Sequence, residues 1–367
     1  MMYCKPVLDF FLGALSPSGF TGWFAQSAGE PGVTPYLIKS GPGCGKSTLM
    51  RRLGEREIEE GPRDGRAVER IHCSSDPDSL DGVFLPGANA LVLDATAPHT
   101  LDCKYPDAAE RVISLFDTLG HAALRGHREE ILAQGHRNSF LLQQASAHYA
   151  LACALLARRR ALAAQAVDTD KVDRFTSRLA ARTMPRRRGV KDGVQRHRLL
   201  SAPTPGGTTV FYDTIPQLAQ QALYAIHDPY GAVSARMLAQ LARTAKVNGY
   251  DAILCHCPSD QANKLDALFV PSLGLGFVTA NTWHPMLFAD QKSIHASRFM
   301  EMQALEKDRR ALRFQKRLAG ELIEKACAAQ TEAKAVHDEL EAYYIAAVDF
   351  EAVDRVRSRL EEELFGK

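Results

Sequence analysis

The 367-residue sequence predicts an α/β fold in which a parallel sheet with flanking helices occurs twice, and each copy carries a long helical hairpin. Three observations support this prediction. A strand, a glycine-rich loop and a helix follow one another between residues 33 and 60. Four blocks of sequence recur in the same order in the two halves. Each half also ends in a long stretch rich in Ala, Leu, Arg and Glu, which is typical of paired helices.

Composition indicates a soluble protein with room for two domains. The chain is 46% hydrophobic and 24% charged, and its net charge of +2 points to no particular partner. Eight cysteines run from Cys4 to Cys327 without a CxxC pair, which fits reduced thiols and a cytoplasmic location. The N-terminal "VLDFFLGAL" contains Asp9 and is a poor secretory signal. The apolar run from Tyr149 stops at three arginines, too short to span a bilayer, so we expect no membrane partner.

The first element of the predicted sheet is "VTPYLIK", residues 33 to 39, a short strand between "GEPG" and a glycine cluster. A helix is expected to follow, because Leu49, Met50 and Leu53 have helical spacing and the segment ends in glycine. Strand, glycine loop and helix form the context that a phosphate-binding loop requires.

The loop "SGPGCGKST" carries the main prediction of a functional site. Its glycines let the backbone turn amide groups inward, where they and the helix N-terminus can surround an anion. Lys46 would reach the β- and γ-phosphates of a nucleotide, and the Ser47 hydroxyl would bind Mg²⁺. The predicted nucleotide-binding residues are Gly41, Gly43, Cys44, Gly45, Lys46, Ser47 and Thr48. The alternative is a fortuitous glycine turn before a helix.

Two residues of this loop have individual interpretations. Ser40 replaces the first glycine of the GxxxxGK[ST] pattern, where a small side chain at negative φ is acceptable. Cys44 sits where a helix N-terminus favours thiolate, so its oxidation would block nucleotide. A small filler residue is the simpler interpretation of Cys44.

A carboxylate for the metal is supplied by "NALVLDAT". Ala90 to Leu93 predict an apolar strand with Asp94 at its end, and Asp94 with Ser47 forms the predicted magnesium site. The alternative is an aspartate that only caps its strand. With these motifs the chain resembles the P-loop nucleoside triphosphatases. The run "HCSSDPDSLDGVFLP…LVLDATAPH" is similar to a little-characterised bacterial family of tandem P-loop ATPase-like proteins, and this resemblance implies nucleotide binding over nearly the whole chain.

The internal repeat divides the chain near residue 195. Gly43 matches Gly231 at an offset of 188, and "HCSSD" matches "HCPSD" at 184. "LDGVFLP" matches "LDALFVP" at 185, and "VDTDKVDRFTSRL" matches "VDFEAVDRVRSRL" at 181. We therefore predict an active P-loop domain at residues 1–195 with a hairpin at about 107–183. A degenerate copy is predicted at 196–367, with a hairpin at about 297–366, and Asp168 and Asp349 are the expected N-caps of the returning helices.

Comparing the copies separates the residues that bind phosphate from those that do not. On this alignment Val233 replaces Gly45, Ser234 replaces Lys46 and Thr279 replaces Asp94, which excludes tight triphosphate binding in the second half. Asp76 and His99 have counterparts in both halves, which favours a structural role. They also remain candidates for a general base or a water-positioning group, and so for catalytic residues beside Lys46 and Asp94.

Two further signals leave their alternatives open. Residues 155–198 hold thirteen Lys or Arg against four Asp, which fits an arginine-bearing lid over the nucleotide, a nucleic-acid contact, or a solvated helix face. No interleaved aromatic pattern supports the nucleic-acid contact. "NKLD" at Asn263 has the letters of a guanine-reading motif, but its position favours chance.

The predicted function is a Mg²⁺-dependent ATPase, a hydrolase, or a small-molecule phosphotransferase that uses only the N-terminal loop. Its cofactors are ATP or another nucleoside triphosphate and Mg²⁺, and the second half binds an acceptor or supports the first. The alternative is a nucleotide-gated regulatory module whose hairpins bind a protein partner. The sequence does not choose between them.

Overall fold

The computed structural model describes residues 7–61 and 66–366. Cys4 lies outside the described residues; the other seven cysteines are unpaired. The strands of the first half are β1 Val7–Phe10, β2 Gly13–Ser16, β3 Gly19–Gly22, β4 Thr34–Lys39, β5 Val68–His72, β6 Leu80–Leu85, β7 Ala90–Asp94 and β8 Arg111–Ser114. Its helices are α1 Phe24–Ala28, α2 Lys46–Glu60, α3 His121–Gly126, α4 Arg128–Ala164 and α5 Thr169–Thr183.

The second half has the same order of elements as the first, except that its described residues contain no α-helix corresponding to the short α3. Its strands are β9 Gln195–Arg198, β10 Ser201–Thr204, β11 Gly207–Val210, β12 Ala222–His227, β13 Ala252–His256, β14 Leu265–Val270, β15 Leu275–Ala280 and β16 Lys292–His295. Its helices are α6 Thr214–Leu218, α7 Ala232–Val247, α8 Arg309–Ile345 and α9 Phe350–Phe365.

Each half contributes one six-stranded mixed sheet. The first has the order β1-β5-β6-β7-β4-β8, and the second has the corresponding order β9-β13-β14-β15-β12-β16. In both sheets the third strand is antiparallel to its two neighbours, whereas the remaining pairs are parallel. The prediction of a parallel sheet is therefore wrong for β6 and β14. Residues 73–79 and 86–89 are too short for the crossover that parallel neighbours need, so they make hairpin connections.

The two sheets share one apolar core. Alternate residues of both sheets, among them Phe84, Leu93, Phe269 and Val278, belong to a single buried cluster. Helices cover the opposite faces: α2 and α9 pack on the first sheet, and α5 and α7 pack on the second. The expectation of helices on both faces of each sheet is wrong, because one face of each sheet is covered mainly by the other sheet and by the short helices α1 and α6.

A buried ion cluster also joins the halves. The guanidinium of Arg198, on β9, is 1% exposed and lies 2.8 Å from Glu69 Oε2 and 2.7 Å from Glu30 Oε1. Glu69 lies on β5 of the first sheet. Such a group stays charged in the interior only because carboxylates compensate it.

The long helices α4 and α8 form an antiparallel pair. Gln134 near the start of α4 contacts Glu339 near the end of α8, whereas Leu162 packs with Leu305 and Leu312 at the other end. Within the described ranges α4 is the one helix whose length and composition would let it cross a bilayer, and it contains the apolar run from Tyr149. That run is therefore part of a longer helix than predicted.

The hairpins exchange partners between the halves. Helix α5 of the first half packs on α7 of the second, whereas α9 of the second half packs on α2 of the first. Asp168 and Asp349 are the N-caps of α5 and α9, as predicted, since their carboxylates accept from the amides of Lys171 and Ala352 at 2.9 and 3.0 Å. The predicted hairpins begin too early: residues 107–127 and 297–308 hold short helical turns and, in the first case, the edge strand β8.

Candidate functional site

The glycine-rich loop joins β4 to the start of α2. Gly43 and Gly45 have φ values of 65° and 79°, which residues with a Cβ adopt rarely. Gly45 is the N-cap of α2 and Lys46 is its first residue, so the free amides of the helix open onto the loop. Ser40, the departure from the pattern, has no positive φ and is buried, as expected.

Lys46 and Asp94 meet at this loop. Lys46 Nζ donates to the Gly41 carbonyl at 2.6 Å and lies 3.4 Å from Asp94 Oδ2. Asp94 ends β7 opposite Ile38 of β4, because the two parallel strands finish at the same edge of the sheet. Its other oxygen accepts from the Thr96 amide at 2.9 Å. Thr96 thus holds the Asp94 carboxylate in place, with the Lys46 ammonium facing its second oxygen.

The other predicted loop residues occupy different environments. Ser47 Oγ accepts from the Leu80 amide at 2.9 Å, which ties the loop to the start of β6 and leaves one lone pair on the oxygen. Cys44 is buried and its thiol donates to the Pro42 carbonyl at 3.3 Å, as a filler residue would. Thr48 is exposed and lies on the outer side of α2.

His99 is close enough to interact with the loop electrostatically. It is buried, and its Nε2 lies 3.4 Å from Asp81 Oδ1. Burial alone would lower its pKa, but the Asp81 carboxylate outweighs burial, and with a smaller contribution from Asp94 the pKa of His99 is raised. His99 Nδ1 has no hydrogen-bond partner among the described residues. His99 is therefore a buried base whose protonation is coupled to the loop.

Asp76 lies apart from this group. Its Oδ2 accepts from the Ser79 hydroxyl at 2.7 Å, and its Oδ1 lies 3.7 Å from Lys334 Nζ on α8. These contacts fix the turn between β5 and β6 and join it to α8. Asp76 is thus a turn residue with a helix contact.

The loop is covered by the C-terminal end of α8. Glu341 Oε1 accepts from the Gly43 amide at 3.1 Å. A Cβ at Gly41 would lie 2.6 Å from a ring carbon of Tyr344, and one at Gly43 would lie 2.9 Å from Ile345. Bonding to His337, with smaller contributions from the Gly43 amide and Lys46, lowers the pKa of Glu341. A carboxylate of the second half therefore accepts from a backbone amide of the N-terminal loop.

The basic stretch is not the cover over this loop. Two of its arginines lie against the second half: the Arg187 guanidinium sits 4.2 Å over the Tyr250 ring, and Arg159 sits 4.7 Å over Tyr230. Arg198 pairs with Glu30 and Glu69 of the first half. The idea of an arginine lid over the N-terminal loop is therefore wrong, since the hairpins exchange partners and residues 341–345 cover the loop instead.

The corresponding loop of the second half is two residues shorter. Gly231 is the N-cap of α7 with φ 75°, so it corresponds to Gly45, and the first helical residue is Ala232 where the first half has Lys46. The predicted matches of Val233 and Ser234 are therefore shifted by two positions. Thr279 does correspond to Asp94, because it pairs with Ile226 as Asp94 pairs with Ile38.

An aspartate accepts from the amides of this shorter loop. Asp228 is fully buried, and its two oxygens accept from the amides of Tyr230 and Ser234 at 3.1 and 2.8 Å. The amides that would face a phosphate are thus used by the chain itself. The Asp228 carboxylate thus provides hydrogen-bond acceptors for the loop amides of the second half, which has no lysine at this position.

The larger of the two cavities described lies at this second loop. It has a volume of about 530 Å³, and its lining includes Arg159, Tyr230 and Lys264. Lys264 belongs to the "NKLD" run that sequence reasoning set aside. The Lys264 ammonium is buried and forms an ion pair with Asp266, and a Cβ at Gly231 would lie 3.0 Å from Lys264 Cε. Sequence reasoning missed this cavity because its walls come from both halves.

No protein-family model, curated protein or solved structure matches this chain. Among the residues that the structure describes, no cluster of three or more His, Cys, Asp or Glu side chains has the geometry of a metal centre. A metal bound through one carboxylate, one hydroxyl and phosphate oxygens would not need such a cluster.

Proposed function

We propose that the chain binds a nucleoside triphosphate, ATP in the first instance, together with Mg²⁺ at the loop from Gly41 to Thr48. The observation that carries the proposal is the convergence of Lys46, Asp94 and the Gly43 amide at the N-terminus of α2. Backbone amides and a lysine at a helix N-terminus form a site for phosphate oxygens. The Gly43 amide already donates to the carboxylate of Glu341, which supports an anionic group as the ligand of this loop.

The residues present fit both groups of the ligand. Lys46 and the loop amides would hold the β- and γ-phosphates, while the Ser47 hydroxyl and Asp94 carboxylate would bind the metal. When bound, Mg²⁺ neutralises phosphate charge and orients the terminal phosphate. The Lys46 to Asp94 contact of 3.4 Å is then replaced by separate contacts, one to phosphate and one to the metal.

We further propose that the two halves are copies of one P-loop unit. The identical strand order of the sheets, the left-handed glycine at each helix N-cap and the exchanged hairpins support a duplication. Asp228 and the missing lysine support a second half that binds no triphosphate. The unpaired cysteines and the Mg²⁺-nucleotide site support a cytoplasmic location.

Hydrolysis or phosphoryl transfer would use His99 rather than Asp76. His99 is buried beside the loop, with Lys46 and Asp94 near enough to influence its pKa. Asp76 is engaged by Ser79 and Lys334. In this proposal His99 is the water- or acceptor-positioning group, and Asp76 relays movement of α8.

A gating role is favoured by a specific observation. Glu341, Tyr344 and Ile345 lie on the loop, so a bound triphosphate must displace the end of α8. Helix α8 runs antiparallel to α4, and its residue Leu312 packs in one cluster with Tyr230 of the second loop, so a displacement of α8 would affect contacts far from the nucleotide. We propose that nucleotide binding moves the α8–α9 hairpin, which then presents a different surface to a protein partner.

The binding proposal is tested by titrating ATP, GTP and ADP into the protein with and without Mg²⁺. Lys46→Ala should abolish triphosphate binding, and Asp94→Asn should remove its dependence on Mg²⁺. Lys325→Ala, an exposed lysine of α8, is the matched control and should bind as the native chain does. Equal binding by the native chain and Lys46→Ala would reject the proposal.

Two measurements separate the catalytic and gating roles. Turnover that rises only when a phosphate-accepting metabolite is added, and that falls in His99→Gln, would indicate transfer. Faster amide hydrogen exchange in residues 337–353 with Mg²⁺-ATP than with Mg²⁺-ADP, in the absence of such turnover, would indicate gating. Exchange that is identical in the two nucleotide states would exclude the gate.

A further inference from the structure

The cavity at the second loop has the size of a small-molecule site. Its volume of about 530 Å³ lies within the range of roughly 300 to 1,000 Å³ found for ligand pockets. Three aromatic side chains, Tyr149, Tyr230 and Trp283, belong to its lining. The walls come from α4, from the loop after β12 and from the residues that follow β13 and β15. The cavity is therefore assembled from both halves of the chain.

Arg159 is the unusual group in this wall. The residue is 8% exposed, and it lies on the buried face of α4 near the C-terminal end of that helix. It donates to the Pro229 carbonyl and lies over the Tyr230 ring, but its Nε has no hydrogen-bond partner in the described part of the chain. No carboxylate of the described residues lies within ion-pair distance of it. Burial lowers the pKa of Arg159, because the charged guanidinium loses hydration in the interior.

The other charges of the cavity are already compensated. Arg160 pairs with Asp260, and Lys264 pairs with Asp266. The Asp228 carboxylate partly offsets the effect of burial on the pKa of Arg159, but its oxygens accept from the amides of Tyr230 and Ser234 and form no ion pair with Arg159. Among the Arg and Lys residues of the lining, Arg159 is therefore the one for which the described residues supply no ion-pair partner.

A buried, unpaired guanidinium is costly unless a ligand completes it. We propose that the cavity of the second half binds a small organic anion, whose phosphate or carboxylate group pairs with Arg159 and whose apolar body packs against Tyr149, Tyr230 and Trp283. A planar guanidinium suits either oxyanion. This site does not depend on nucleotide binding at the N-terminal loop, which lies at the other sheet.

The test uses phenyl phosphate and benzoate as probes, with phenol as the uncharged analogue. Trp283 lines the cavity, whereas Trp23 lies elsewhere and stacks against the neighbouring rings of His197 and His256, so tryptophan fluorescence reports binding. The titration is made on the full chain without nucleotide. We expect saturable binding of at least one acid at one site per chain, with no comparable effect of phenol. Tighter binding of phenyl phosphate would identify a phosphorylated ligand, and tighter binding of benzoate a carboxylate.

Arg159→Gln should weaken binding of the preferred acid by at least about tenfold, as expected when a charge-assisted hydrogen bond is lost. The matched control is Arg158→Gln, because the neighbouring Arg158 is exposed, and it should bind as the native chain does. Lys46→Ala should also leave this binding unchanged, which separates it from the nucleotide site.

If circular dichroism shows that Arg159→Gln does not fold, Arg159→Lys is used, and it should retain part of the affinity. Absence of a fluorescence change with both acids at millimolar concentration would overturn the proposal. Equal affinity of Arg159→Gln and the native chain, or equal affinity for phenol and the acids, would do the same.

Discussion

The contact between Glu341 and the loop predicts that the chain restrains its own nucleotide affinity. Glu341 Oε1 accepts from the Gly43 amide at 3.1 Å, and the same carboxylate is attracted by Lys46. A triphosphate must break this contact before it can use the same donors. Removing the carboxylate in Glu341→Ala should therefore tighten nucleotide binding.

The magnitude follows from the contact. A hydrogen bond to a charged group contributes about 1.5–3 kcal/mol. The Glu341 side chain is 33% exposed, so solvent screening reduces this to about 1–2 kcal/mol. Because about 1.4 kcal/mol corresponds to a tenfold change in affinity, Glu341→Ala should bind Mg²⁺-ATP roughly 5- to 30-fold more tightly.

Isothermal titration calorimetry of Mg²⁺-ATP measures this change directly. Glu332→Ala is the matched control, since Glu332 is an exposed residue of the same helix, and it should not alter the affinity. Unchanged or weaker binding in Glu341→Ala would refute the view that this carboxylate competes with phosphate.

Three further predictions concern stability. Asp349→Ala should lower the free energy of unfolding by about 1 kcal/mol in urea, because α9 loses its N-cap; no loss would mean that the cap is unimportant. Burial lowers the pKa of His256 from 6.5 to about 4, so the unfolded chain takes up the proton first, and stability should fall by about 3 kcal/mol between pH 6.5 and pH 4. His256→Gln should flatten that dependence, and an equally steep profile would contradict the assignment. Arg198→Met leaves Glu30 and Glu69 buried without their cation, so thermal or urea unfolding should reveal a loss of about 3–5 kcal/mol, and a neutral effect would show that the carboxylates become protonated instead.

The sequence predicted those elements whose signals are local. The helix from Lys46 and its buried Leu49, Met50 and Leu53 follow from periodicity, and the caps Asp168 and Asp349 follow from residue type at a helix start. These features depend on neighbours within a few residues, so spacing alone reveals them.

Other features depend on contacts between distant segments. Strands of four residues such as β1 and β8 are too short to show a period, and the antiparallel direction of β6 depends on two short connections. The placement of Glu341 on Gly43 joins positions 298 residues apart, and no pattern within either segment indicates it. The predicted alignment of the two loops, with Gly43 on Gly231, was wrong because the second loop is two residues shorter than the first.

The central claim is that the chain has one nucleotide site, formed by the N-terminal loop. The most direct test is the stoichiometry of Mg²⁺-ATP binding to the native chain and to Lys46→Ala in the same calorimetric titration. The account predicts one site per chain in the native protein and none in the variant. Two sites in the native protein, or binding that survives in Lys46→Ala, would contradict it.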